Sequence, residues 1–380
     1  MKARSNPSLV CPKCSYDANL PYASHCEICN QPLKGDRVAP RNSKLGWVLG
    51  GLLLLSGGLY WLGKDFIESP PTVSNPSSPL PTTAPAANSA LTTPQIEYYN
   101  SMSEVPNVPD GLFNYGGAIV FAAIAANGMH DAIAQAHPQF HLRYVEPLNH
   151  HPSSRAGIAM LLNHELSFAR TVLPLKDNDY DKAQKRGLNL EQVPVAIDGI
   201  VFFVNPQLPV SGLSVDQLQA IYTGKVTNWN QVGGPDLPIV AVAFDPNFSS
   251  TIEILLEGIA DRKLSPNVQM AHDYTTSIRQ VASTPGSISY ASAASIINQK
   301  TIRPLPIARD NSNLYIEPFV SDRINIQAFR DGSYPLTRQL FVVLSHDDKP
   351  AYQAGVAYTN LLLSKEGQKI IERSGFVPLR

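Results

Sequence analysis

Residues 193–240 read VPVAIDGIVFFVNPQLPVSGLSVDQLQAIYTGKVTNWNQVGGPDLPIV, and they set an apolar strand against a capped helix. Residues 200–204 are a continuous apolar run, the pattern of a strand covered on both faces. Ser214 and Gln217 then form a capping box ahead of DQLQAIY, the signature of a helix start. A doubly buried strand followed at once by a helix predicts an α/β fold, because a strand apolar on both faces needs a layer on each side.

The same alternation runs outward in both directions. Phe140, Leu142 and Tyr144 share one face of a strand upstream, while Ser250 with Glu253 reads as a second capping box before ILLEGIA. Residues 356–363 and 367–374 read as helical, with Gly375 as the C-cap. Residues 111–380 therefore form one α/β module without an internal repeat. The apolar share of the chain, 43%, supports a core of that size. With a formal net charge of −1, nothing favours broad nucleic-acid binding, which needs a basic face to neutralise phosphates. Nucleic acid is not an expected partner.

Upstream of the module the composition changes. Residues 64–110 are a linker: seven of the 32 prolines lie between Pro70 and Pro94, and residues 69–95 are rich in Pro, Ser, Thr and Ala. In polyproline II that richer stretch would reach roughly 80 Å. Before it, residues 45–63, LGWVLGGLLLLSGGLYWLG, carry no charge and as a helix span roughly 28 Å, enough for a bilayer core. Trp47, Tyr60 and Trp61 fall where an aromatic belt would lie. Lys34, Arg37, Arg41 and Lys44 precede the run, whereas Lys64 is followed by Asp65 and Glu68. The positive-inside rule puts the N-terminus in the cytoplasm and the module outside, as a single-pass protein of the plasma membrane. A cleaved signal peptide fits less well, with 44 residues ahead of the run and no small-x-small site closing it.

All four cysteines lie in residues 9–33, as two CxxC knuckles: Cys11 with Cys14, and Cys26 with Cys29. Four thiolates from two tight turns complete the closed tetrahedral shell of a structural zinc, so a zinc ribbon is expected there. Two disulfides or idle thiols are the alternative. A closed shell leaves no open position for catalysis.

The stretch 193–240 resembles the phosphate-binding proteins of Pst-type ABC importers, as do LPLKD around Pro174, PGSIS at 285–289, YPL at 334–336 and the closing LLLSKEGQKIIERSGFVPL. The resemblance covers most of residues 111–380. It implies a two-lobed periplasmic-binding-protein fold, with lobe one at roughly 111–195 and 300–380. It also implies phosphate or a related oxyanion held between lobes that close by hinge motion, and an ABC importer permease as partner.

Such a site must hold an anion out of water with helix starts, hydroxyl donors and a cation. Candidate positions are the turn Gly117, Ala118 and Ile119, the pair Ser154 and Arg155, Arg170 with Thr171, and Ser249, Ser250 and Thr251, which match the family's Ser-Gly-Thr turn. Hydroxyls at helix starts also serve simply as caps. Four residues at three places depart from the family. Ala118 and Ile119 stand where hydroxyls are usual, Leu173 replaces an arginine, and Asp245 falls at or beside the place of another arginine. Arg155 and Arg170 could restore the charge from neighbouring positions.

His150, His151 and His164 read as exposed histidines, and Asp177, Asp179 and Asp181 alternate in a loop without the glycine and glutamate of an EF-hand. No GxSxG and no GxxxxGK[ST] occurs, so no enzyme is expected. Two functions compete: a membrane-anchored solute-binding protein, and a sensor or scaffold of degenerate binding fold whose cytoplasmic ribbon contacts a protein partner.

Overall fold

Among the described residues nine strands build the central sheet: β1 Gly111–Gly117, β2 Phe140–Tyr144, β3 Phe168–Thr171, β4 Leu190–Val204, β5 Val240–Phe244, β6 Gln269–Ala271, β7 Ser287–Ser292, β8 Arg303–Pro304 and β9 Thr337–Ser345. This is a computed structural model, and it describes residues 95–380 apart from 149–150, 246–248, 260–262, 310–311, 313 and 347–348. The expected zinc ribbon, the apolar run 45–63, the linker up to residue 94 and His150 lie outside the described residues. No helix among the described residues is long and apolar enough to cross a membrane.

The strand order is β2-β1-β3-β9-β4-β7-β5-β6, with β8 on β4. Strand β4 runs through both halves. Its residues 190–199 pair antiparallel with β9, and its residues 200–204 pair antiparallel with β7. The second half is buried without interruption, as the apolar run predicts. Helices cover the sheet on both sides of that crossing, which gives two lobes.

Lobe one packs Tyr115, Phe168, Leu340, Val342 and Tyr358. Lobe two packs Phe202, Tyr222, Trp229, Phe244 and Tyr290. Burying one large apolar side chain contributes about 1.5–3 kcal/mol, so these aromatic clusters define the halves energetically as well as visibly. The expected return of the chain to lobe one near residue 300 is corrected. Ile302, Leu305, Ile307, Phe329 and Tyr334 belong to the core of lobe two, and lobe one resumes at β9. Two anchors hold that segment: Ile307 pairs in parallel with Leu213, and the Tyr334 hydroxyl donates to the Ile200 carbonyl at 2.9 Å.

Local signals fare unevenly. Ser214 and Gln217 form the reciprocal box at the start of helix Val215–Tyr222, with bonds of 3.1 and 2.8 Å. Ser250 does not cap. Its backbone is already helical, its hydroxyl makes no capping bond to helix Thr251–Leu255, and the Glu253 carboxylate is engaged elsewhere. Asp177, Asp179 and Asp181 lie in helix Asp177–Gln184 rather than in a loop, where Asp179 accepts from the Lys176 amide at 3.0 Å. Acid in a first helical turn is favourable against the dipole, so the alternating aspartates mark a helix start. The penultimate helix begins at Lys349, earlier than its apolar pattern suggests, because Pro350 is tolerated in a first turn. The last helix, Lys365–Arg373, ends at the C-cap Ser374, and Gly375 follows it in the left-handed region at φ +86°.

Residues 95–110, placed with the linker by composition, lie against lobe one. The Glu97 amide donates to Asn360 Oδ1 at 3.0 Å, Asn360 Nδ2 donates to the Gln95 carbonyl at 2.9 Å, and Met102 is fully buried.

Candidate functional site

Where the lobes meet, a small pocket opens between four chain segments of lobe one, β9 among them, and two of lobe two. Ala118 and Ile119, just past β1, form one wall with Val172 beyond β3. Ser153 and Ser154 form a second wall at the start of helix Ser154–Leu162. Ser249, Ser250 and Tyr274 face them from lobe two, and Arg338 of β9 closes the base.

The turn after β1 is built on glycines. Gly117 has φ +108°, and a Cβ there would sit 2.1 Å from the Arg170 carbonyl oxygen. Gly157 faces it across the helix contact, where a Cβ would come 2.5 Å from Gly117 Cα. The paired absence of side chains lets the helix carrying Ser154 lie directly on the turn. The Ala118 amide is already used, donating to the Arg170 carbonyl at 2.8 Å.

Hydroxyls supply polarity from both lobes. Ser153 Oγ accepts from the Ala156 amide at 3.2 Å, and Ser154 Oγ accepts from the Val172 amide at 3.1 Å. An accepting hydroxyl keeps its proton for donation, so neither bond removes these serines as ligand donors. Ser249 Oγ accepts from the Thr251 amide at 3.4 Å and is also hydrogen-bonded to the Tyr290 hydroxyl, so its proton reaches a ligand only when that bond is released.

Among the described residues, Arg338 is the one charged side chain lining the pocket. It stands directly opposite Asp198 in the β9–β4 ladder. Its Nε and Nη2 lie 2.9 Å from Asp198 Oδ2, and its Nη1 donates to Thr251 Oγ1 at 3.1 Å. Tyr274 is hydrogen-bonded to the same guanidinium. Ser292 Oγ donates to Asp198 Oδ1 at 2.6 Å. Burial pushes the Asp198 carboxyl up from its ordinary range, with Arg338, Ser292 and the Ala293 amide pulling the other way. Burial also works against the Arg338 charge, but Asp198 and Tyr274 more than offset it and raise the arginine's pKa. A buried charge this well partnered is fixed in place, and Asp198 already compensates it.

The positions singled out from sequence divide into three groups. Ala118, Ile119, Ser154, Ser249 and Ser250 converge on the pocket, with Gly117 and Thr251 immediately behind its walls. Arg155 and Thr171 line a neighbouring groove with Leu173 and Lys176. There Thr171 Oγ1 closes on its own loop, bonding the Leu173 amide and carbonyl at 3.0 Å each. Arg170 is turned into lobe one. Its Cζ lies 4.7, 4.9 and 5.3 Å from the ring centres of Tyr115, Phe121 and Tyr144, and it is hydrogen-bonded to Tyr358. Its Nε has no partner among the described residues. Burial and the Arg170 charge lower the pKa of nearby His130, whose Nε2 lies 3.0 Å from the Tyr115 hydroxyl.

Arg338, Asp198 and Tyr274 were not picked out from sequence. A faint signal exists: Asp198 is a lone acid in VPVAIDGIVFFV, and Arg338 is a lone base in the strand after YPL. Single opposite charges inside two apolar strands are where a buried pair is to be sought. Asp245, beside which the family's arginine would fall, contributes its backbone carbonyl to the Ser249 amide at 2.8 Å. The cation at this pocket comes from β9 instead.

The fold has counterparts among known proteins. A family model described as a PBP superfamily domain matches residues 120–366. Protein SphX of Synechococcus elongatus is 27% identical over 233 residues, 59% of this chain and 66% of that protein. The phosphate-binding protein PstS of Pseudomonas aeruginosa is 26% identical over 211 residues, 52% of this chain and 62% of that one. The chain thus spans just under two thirds of the length of these curated relatives. Among solved structures, a Clostridium perfringens protein with bound phosphate aligns with TM-score 0.56 and 22% identity, over 71% of this chain and 100% of the other. An ABC-type phosphate transport receptor from Vibrio cholerae aligns with TM-score 0.53 and 22% identity, over 70% and 99%. At these identities the structural likeness is one of fold.

Proposed function

This chain belongs to the PBP superfamily, and from that premise we propose that it is a membrane-anchored, extracytoplasmic solute-binding protein holding phosphate or a related oxyanion between its lobes for an ABC importer. The observation that carries this reading is the convergence of Ser154, Ser249 and Ser250 with the fixed guanidinium of Arg338 on one interlobe pocket. Hydroxyl donors from both lobes plus one cation are what a desolvated tetrahedral anion needs. In this reading residues 45–63 anchor the chain, and Cys11, Cys14, Cys26 and Cys29 hold a structural zinc on the cytoplasmic side. Metal analysis of the purified protein is expected to give about one zinc per chain, and loss of it on Cys14→Ser; a metal-free protein that keeps its fold removes the ribbon from the proposal.

The test of the pocket is calorimetry on the full-length protein in detergent at low salt, with phosphate and sulfate as titrants. Ser154→Ala and Ser249→Ala each remove one hydrogen bond to a charged group, worth about 1.5–3 kcal/mol, and are expected to weaken binding about 10- to 150-fold. Absence of heat with either anion would sink the transport reading. It would favour the sensor or scaffold instead, for which the neutralisation of Arg338 by Asp198 is the specific observation in hand.

A further inference from the structure

Glu253 lies in helix Thr251–Leu255 of lobe two, directly after the hydroxyl turn that faces the pocket, and its neighbours Ile252 and Leu255 are buried in the core of that lobe. Its carboxylate does not serve its own helix. One oxygen accepts from Arg155 Nη2 and the other from Lys176 Nζ. Both partners belong to lobe one: Arg155 follows Ser154 in a helix packed through Ile158 and Leu161, and Lys176 follows Leu175, which packs on the same cluster. A single acid thus bridges two cations across the cleft, beside the pocket mouth.

The exposures fit a moving contact. The Arg155 and Lys176 side chains are 60% and 51% exposed, so they stay solvated when released, whereas Glu253 is 22% exposed. Burial alone would raise the Glu253 pKa, but the bonds from Lys176 and Arg155 outweigh it and hold the carboxyl below its ordinary range.

We propose that Glu253 is an ionic clasp that holds the two lobes together over the pocket without ligand, so that entry and release are gated by breaking its bonds to Arg155 and Lys176. When the lobes part, the two cations are uncovered beside Ser154 and attract an approaching anion. When they close, Glu253 discharges them. Arg155 and Lys176 are then partners of the clasp rather than part of the closed anion shell. The proposal rests on the oxyanion reading only for what passes the gate, because closure itself can be measured without ligand.

Hydrogen exchange followed by mass spectrometry on the full-length, ligand-free protein tests it. Glu253→Gln, and separately Arg155→Gln with Lys176→Gln, are expected to raise exchange about 2- to 10-fold in peptides covering residues 152–157, 172–176 and 249–255. Peptides of the β4 core should stay unchanged. Salt near 1 M should do the same to the native protein and add little to Glu253→Gln, since exposed pairs are screened at such ionic strength. Reversing all three charges, Glu253→Arg with Arg155→Glu and Lys176→Glu, should restore protection. Equal exchange in Glu253→Gln and the native protein overturns the clasp, and so does salt opening both alike. Either result leaves the phosphate titration to stand or fall separately.

Discussion

Asp198→Ala is expected to cost the folded protein about 3–5 kcal/mol, because it strands the Arg338 guanidinium in a site where the carboxylate is wholly inaccessible and the arginine nearly so. The loss has two parts. Asp198 accepts from Arg338 and Ser292 at once, so both donors lose their partner together. The larger part is the uncompensated charge, which burial penalises far more than a missing neutral bond. Replacing both residues, as in Asp198→Ala with Arg338→Met, is expected to recover most of that stability, since an apolar replacement for a buried pair is often neutral or better. The same double variant should lose anion binding, because the pocket's cation is gone. Chemical denaturation of the full-length protein, read beside calorimetry, separates the two effects. A double variant as unstable as the single one would show that the pair's worth lies in shape rather than charge.

Gly117→Ala is expected to be comparably severe, at on the order of 4 kcal/mol or more. The added Cβ would meet the Arg170 carbonyl oxygen at 2.1 Å, and the backbone there has φ +108°. Neither neighbour can yield cheaply. Arg170 is held in the β1–β3 and β3–β9 ladders, and Gly157 brings a helix onto the other side of the turn. Gly187→Ala is the matched control. Gly187 also has positive φ, +74°, but nothing lies within 4 Å of its Cβ position, so only the conformational cost of about 1–2 kcal/mol applies. In thermal melts the Gly117 variant should fall by about 10 °C or more and the control by much less. Equal shifts would mean that conformation rather than collision sets the cost.

The fold was legible where the sequence carries a local signal. The apolar run at 200–204 became the buried half of β4, and the Ser214–Gln217 box formed as expected. The segment 302–336 was misassigned for a physical reason. Its strands are only two residues long and carry no readable period, and its place is fixed by long-range contacts such as Ile307 with Leu213. The candidate site was legible in its hydroxyls and not in its cation. Asp198 and Arg338 are 140 residues apart, and nothing local to either strand says that the ladder register will set them face to face. The Ser250–Glu253 spacing shows the reverse failure, a valid helix-start pattern whose acid is drawn off by Arg155 and Lys176 from the other lobe. Local propensity is outweighed when two cations are within reach.

Strand β4 is shared by both lobes, and Asp198 sits where its partner changes from β9 to β7. A continuous backbone through a two-part body acts as a fulcrum, and points on a fulcrum travel least. If the lobes hinge on that strand as proposed, the arginine tied to Asp198 would be the part of the pocket that moves least. An incoming anion would land first on a stationary floor, with the moving walls arriving afterwards.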